Sequence, residues 1–185
     1  MKKIIASFLF CLVLITGCTA QAPEVKEEQA TWEPLIGTYV GDAMNVGKIA
    51  NTVFLHGDTI DHFDLRGEVL RVIYKNDDQA LSEWFSSSIS KDKAIVYNAI
   101  MGAILVPNAK GYGFEVDGEG YEISRDVLID EMENLFSTIP NGNEFFDKTK
   151  VKAFLQTHEQ TIQQYAVDSD YQKALLAKFT ISKSG

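Results

Sequence analysis

Nine residues, His56-Gly57-Asp58-Thr59-Ile60-Asp61-His62-Phe63-Asp64, hold the densest set of reactive side chains in this sequence. Two of the three histidines and three carboxylates fall within them. Imidazole nitrogen and carboxylate oxygen are ligands for zinc and other divalent metals. His56, Asp58 and His62 are the candidate ligand set, and a metal held there would serve a metal-assisted hydrolase. Strand geometry works against that set. Successive side chains on a strand point to opposite faces. If Phe63 and Leu65 face the core, His62 and Asp64 are sent to the solvated face. Asp61 then points inward with Phe63 or lies in the loop before the strand. The expectation is a polar loop running into an exposed strand, with no tight metal site and no cofactor.

Other candidate chemistry fails on spacing. His158-Glu159-Gln160-Thr161-Ile162 opens like a helical zinc-protease motif, but Ile162 stands where the second histidine must be. Gly41 to Gly47-Lys48 is one residue too long between its glycines for a phosphate loop. Ile49 also replaces the hydroxyl residue that would hold magnesium. No Gly-x-Ser-x-Gly elbow occurs. Trp32, Trp84, Phe85, Phe145 and Phe146 could form an aromatic binding surface. The commoner use of aromatics is burial. On that ground Trp84 and Phe85 are expected in the core, and Phe145-Phe146 is expected to staple the C-terminal helices to the domain. No catalytic residue is assigned.

The N-terminus carries the strongest compartment signal. Lys2 and Lys3 precede an apolar run from Ile4 to Ile15, and Thr16-Gly17-Cys18 follows. A charged start, a short apolar core and small residues are the pattern of a secretory signal. The run is shorter than the about 20 residues that span a bilayer. Cys18, placed directly after Ile15-Thr16-Gly17, resembles the cysteine of the lipobox of bacterial lipoproteins. The resemblance implies cleavage between Gly17 and Cys18 and acylation of the Cys18 thiol, leaving residues 18–185 anchored to a membrane and facing outward. The other cysteine, Cys11, would leave with the signal. No intrachain disulfide or cysteine metal site could then form.

With 17 basic and 26 acidic residues the formal charge is −9, and losing Lys2 and Lys3 takes it to −11. An acidic surface is repelled by phosphate, so nucleic acid is excluded as a partner. The expected partners are the lipid bilayer, through the acylated N-terminus, and an unidentified envelope protein or small ligand. Residues 19–31 are polar and aperiodic and read as a tether spanning roughly 20 Å.

The elements that must position these residues follow from hydrophobic period and turn chemistry. Asp42 caps a first helix carrying Val46, Ile49, Ala50 and Val53. Two strands, about 60–65 and 69–75, are joined by Arg66-Gly67-Glu68 as a hairpin. Asp77 and Asp78 open a short helix with Leu81, Trp84 and Phe85. After the serine-rich 86–90 break, a helix over about 91–105 is apolar on all sides from Ala94 to Val106, which marks a buried helix. Pro107 ends it. A second hairpin over about 111–123 turns at Asp117-Gly118. Ser124 caps the next helix, and helical periodicity returns over 147–164 and 168–179. The expected fold is α+β: a two-layer sandwich in which an antiparallel sheet, built from the hairpins 60–75 and 111–123, carries helices on one face. A single globular domain is expected over 32–185, with C-terminal helices added over 144–180.

Tyr39-Val40-Gly41-Asp42, Val46-Gly47-Lys48-Ile49, Leu70-x-Val72-x-Tyr74, Asn98-Ala99, Tyr112 to Gly118 and Ser124-Arg125-Asp126 together resemble the domain-of-unknown-function family numbered 4825, over about residues 37–136. Its members resemble small lipoproteins of Gram-positive bacteria. The resemblance implies an envelope location and supplies no catalytic residues. Asp42 and Asp126 are accounted for by a helix cap and a first-turn dipole contact. The sequence therefore leads to a membrane-anchored, non-catalytic binding or sensory module, with an envelope hydrolase as the alternative and a structural partner of an envelope complex as a third class.

Overall fold

The computed structural model describes residues 31–86 and 89–183. The cleavage site Gly17-Cys18, the signal and most of the tether lie outside the described residues.

The core is organised around one helix. Helix α3 (Lys91–Leu105) is buried from Ala94 to Leu105 except at Tyr97, which is half-buried. Ser90 starts it by accepting from the Lys93 N–H at 3.2 Å. Strand β3 (Gly111–Val116) packs against it. The approach is close because residue 102 is glycine: a Cβ there would stand 3.0 Å from the Tyr112 ring. Helices α4 (Arg125–Leu135), α5 (Lys148–Val167) and α6 (Ser169–Leu176) also pack on α3. Helix α1 (Ala43–Thr52) buries Val46, Ile49 and Ala50 as the sequence spacing predicts. It is capped by Asp42, which accepts from the Asn45 N–H at 3.1 Å.

The fold is α+β, with a five-stranded open sheet and helices on one side. Strand β1 (Ile60–Asp64) pairs antiparallel with β2 (Val69–Tyr74), and β3 pairs antiparallel with β4 (Glu119–Ser124). Both expected hairpins are present. At Asp117-Gly118 both φ angles are positive, 52° and 69°, as a tight two-residue hairpin turn requires.

The sheet as a whole is mixed, which corrects the antiparallel expectation. Strands β2 and β3 run parallel, from Val69↔Gly111 to Ile73↔Glu115. A parallel pair needs a long crossover, here helix α2 (Asp78–Ser86) followed by α3. A fifth strand, β5 (Thr180–Lys183), extends the sheet beside β4. The 144–180 segment therefore does more than add helices. Val151, Phe154, Leu155, Ile162, Leu175 and Phe179 belong to the same core as α3, and β5 completes the sheet edge.

The register puts Phe63, Val72, Phe114, Tyr121 and Ile181 in one row across all five strands on the helix side. The adjacent row on the open side is Asp64, Arg71, Gly113 and Glu122. Arg71 lies across Gly113, where a Cβ would stand 2.9 Å from its Cγ. It reaches Glu122 through Nε and Nη2, each at 2.8 Å from Oε2. This charged bar keeps the uncovered face wet.

Candidate functional site

The histidine–aspartate segment folds so that its members part. A bulge between Ile60 and His62 sets Asp61 out of register. His62 then faces solvent opposite Ile73, and its Nδ1 lies 2.7 Å from Asp61 Oδ2, with both side chains more than half exposed. Asp64 accepts from the Arg66 Nε and Nη2 at 2.8 Å each and from the Arg66 N–H at 3.0 Å. Those hydrogen bonds hold its carboxyl far below the usual carboxylate range. His56 turns the other way. Its backbone is left-handed, φ 58°, and its ring stacks on the buried Trp84 at 4.2 Å with 28° between planes. Its Nε2 lies 3.2 Å from the Ile89 carbonyl oxygen.

Trp84 donates to Thr59 Oγ1 at 3.0 Å, and that hydroxyl donates to the His56 carbonyl at 2.9 Å. His56 thus fastens the loop before β1 to α2. Among the described residues, no three His, Cys, Asp or Glu side chains come close enough to hold one metal ion. His56, Asp58 and His62 are not brought together.

The same loop is held from behind by the one strongly polar residue in the buried stretch of α3. Asn98 is fully buried. Its Oδ1 accepts from the Leu55 N–H at 2.8 Å. Its Nδ2 donates to the Leu55 carbonyl at 3.1 Å and to the Tyr74 hydroxyl at 3.0 Å. A side-chain amide matched to both backbone groups of a residue replaces a missing strand partner. Burial raises the Tyr74 hydroxyl well above its ordinary pKa, so it stays protonated.

The concave feature beside this loop is a cleft of about 530 Å³ at the carboxyl ends of β2 and β3. Open sheets with parallel strands place ligands outside those ends. Asp61 enters from the β1 bulge, Lys75 and Asp77 follow β2, Glu115 is the last residue but one of β3, and Asp117 sits in the β3–β4 turn. A smaller recess of about 200 Å³, with Asp58, shares Lys75 and Asp77 as its wall. Four carboxylates against one ammonium in the larger cleft repel phosphates and carboxylates. The tyrosine in the cleft wall, Tyr74, is engaged by Asn98.

Sequence reasoning found Asp58 and Asp61 here and missed Asp77, Glu115 and Asp117 as neighbours. Asp77 was legible as a cap, which it is: it accepts from the Ala80 N–H at 2.9 Å. Asp117 was legible as a turn residue. Only the parallel β2–β3 seam brings them to one end of the sheet.

The aromatic set forms no common surface. Trp32, Trp84 and Phe145 are buried. Phe146 packs its ring 5.3 Å from Tyr39 and so staples the start of the C-terminal segment to the chain before α1. Phe85 corrects the core expectation: it is 58% exposed. Arg125, in the first turn of α4, donates from Nη1 to the Ala103 carbonyl at 2.6 Å and to the Tyr112 hydroxyl at 2.7 Å. It also lies over the Phe145 ring at 4.7 Å. It satisfies the C-terminal end of α3, where a cation suits the helix dipole. No known family, no curated protein and no solved structure matches this chain.

Proposed function

We propose that this chain is an envelope lipoprotein anchored through Cys18 and facing outside the cell, whose domain binds or senses and does not catalyse. The observation that carries the anchoring is the placement of Thr16-Gly17-Cys18 directly after a charged start and a short apolar run. Among the described residues no helix is long and apolar enough to cross a membrane. Stable attachment needs more than one acyl chain, at about 0.8 kcal/mol per buried CH₂. In this proposal residues 37–136 form a domain similar to the family numbered 4825.

The non-catalytic half is supported by how the reactive side chains are occupied. His56 is engaged with Trp84 and Ile89, His62 with Asp61, and Asp64 with Arg66. An enzyme needs such groups to converge on one reacting atom. The metal-assisted hydrolase reading through His56, Asp58 and His62 therefore has less support than the binding reading. Purified protein should hydrolyse generic ester, phosphate and peptide substrates no faster with zinc or manganese than without. Metal-dependent turnover that disappears in the His56→Ala, His62→Ala double variant would replace the binding reading with the hydrolase.

A further inference from the structure

Met44 and Tyr39, at 70% and 59%, are the two most exposed large apolar side chains among the described residues. They stand at the corner where the folded chain begins. The single turn Glu33–Leu35 packs on α1, and Glu33 pairs with Lys152 of α5 at 2.7 Å. The Tyr39 ring lies 5.3 Å from that of Phe146, just before α5. Met44 and Lys48 lie one turn apart on α1, opposite the buried stripe of Val46, Ile49 and Ala50. The charge of this corner differs from the rest. Segments 32–48 and 142–152 carry four acids and four lysines, whereas the described residues together carry 23 acids and 14 bases. All four acids are engaged: Glu33 with Lys152, Glu144 with Lys150, and Asp42 and Asp147 as helix caps. Lys48 and Lys148 are exposed and belong to no ion pair among the described residues. The corner is tied to the chain that leads into β3: the Thr38 N–H donates to the Leu105 carbonyl at 2.9 Å, and the Val40 N–H donates to Asn108 Oδ1 at 2.8 Å. The acidic cleft lies at the other, carboxyl end of β3, roughly 20 Å of strand away.

We propose that this corner docks on the outer face of the bilayer that holds Cys18, with Tyr39 and Met44 at headgroup depth and Lys48 and Lys148 against lipid phosphates. The proposal rests on the lipid anchor of the preceding reading and adds an orientation to it. The occupant follows from where the described chain starts. The tether 19–31 ends at this corner and spans roughly 20 Å, so the corner is the part of the domain held closest to the membrane. A flexible link this short gives the second contact an effective concentration in the millimolar range, so a weak contact is populated. Tyrosine rings settle at the membrane–water interface, and lysine stems lie along apolar surface while the ammonium reaches the phosphates. Charge selects the same side. Anionic headgroups repel the acidic remainder of the domain and attract uncompensated lysines within a Debye length of about 10 Å. Docked this way, the domain holds its acidic cleft away from the bilayer and open to the outside.

The test uses the full mature chain purified from membranes, whose intact mass reads the anchor, in vesicles of equal parts phosphatidylglycerol and phosphatidylcholine. With the Cys18 thiol acylated, Met44→Cys and Val167→Cys each offer one free thiol for an environment-sensitive fluorophore. Both positions are exposed and apolar, and Val167 lies about 28 Å along α5 from Lys148. Lipids carrying a spin label near the headgroup should quench the fluorophore at position 44 and spare the one at position 167. Lys48→Glu combined with Lys148→Glu should move the docked population at least tenfold towards free in these vesicles and leave it unchanged in phosphatidylcholine alone. Both lysines are exposed, and Lys148→Glu suits the start of α5, so the fold is kept. Equal quenching at both positions, none at either, or quenching indifferent to the charge reversals overturns the docking, while acyl chains in the mass spectrum leave the anchor standing. Shielding at position 44 that grows with protein density and lacks lipid quenching assigns the corner to a second copy and overturns the docking as well. A chain without acyl groups removes the anchor, and the docking with it.

Discussion

Replacing Asn98 with leucine removes the amide that fastens the Leu55 loop to the central helix. The change keeps the residue's approximate volume, so it isolates the hydrogen bonds from cavity effects. Three groups lose their partner: the Leu55 N–H at 2.8 Å, the Leu55 carbonyl at 3.1 Å and the Tyr74 hydroxyl at 3.0 Å. A buried donor or acceptor left without a partner costs about 1–3 kcal/mol. Leu55 is only half-buried, so its two groups recover part of that from solvent, whereas Tyr74 is buried and recovers little. The expected total is about 3–5 kcal/mol, a large share of the roughly 5–15 kcal/mol a domain of this kind has. Urea unfolding followed by tryptophan fluorescence measures it directly, because Trp84 lies 4.7 Å from Tyr74. Amide exchange adds a local readout: the Leu55 N–H should lose protection before the α3 amides do. A stability change under about 0.5 kcal/mol, with Leu55 still protected, would refute the reasoning.

Ile100→Asp places a carboxylate at a fully buried position of α3 and should cost several kcal/mol; a thermal melt unchanged from the parent would show that α3 is not the core. Arg125→Met should cost about 2–3 kcal/mol through its bonds to Ala103 and Tyr112, and a near-neutral result in urea would remove it as the cap of α3. Hydrogen bonds from Tyr121 and Lys91 lower the Glu119 pKa below its ordinary 4.5. Its stabilisation is therefore complete above about pH 4.5 and lost as the pH falls further, and Glu119→Gln should flatten that acid limb of the melting curve. Burial pushes Tyr112 up to about 12 from an ordinary 10. The folded state favours the protonated phenol, so stability should hold below pH 10 and fall between pH 10 and 12, followed by phenolate absorbance together with the melt.

The sequence was most legible where local rules decide. The run Ala94 to Val106 is strongly polar only at Asn98, and all of it but the capping Val106 lies in the buried helix. Asp42 and Ser124 are caps because a short acceptor precedes a helical period, and Asp117-Gly118 turns because both positions take positive φ. The parallel β2–β3 seam was not legible. Strands 69–74 and 111–116 read the same whichever way they are paired, and direction is set by how α2 and α3 cross the sheet. Strand β5 was missed because Thr180 to Lys183 is short and exposed and carries no buried alternation.

Site geometry was legible only in part. Alternation correctly sent His62 to solvent, but nothing local announced that His56 would stack on Trp84, 28 residues away. The acidic cleft draws on four separate elements, so no single window could show it. Phe85 follows Trp84 in sequence, yet a helix turns neighbouring residues about 100° apart, and only Trp84 faces inward.

Intact-mass analysis of the membrane fraction tests the central claim most directly. The account predicts residues 18–185 carrying acyl chains on Cys18, with both processing and lipid lost in Cys18→Ala. A mature protein of unmodified mass, or one beginning at a residue other than Cys18, would contradict it.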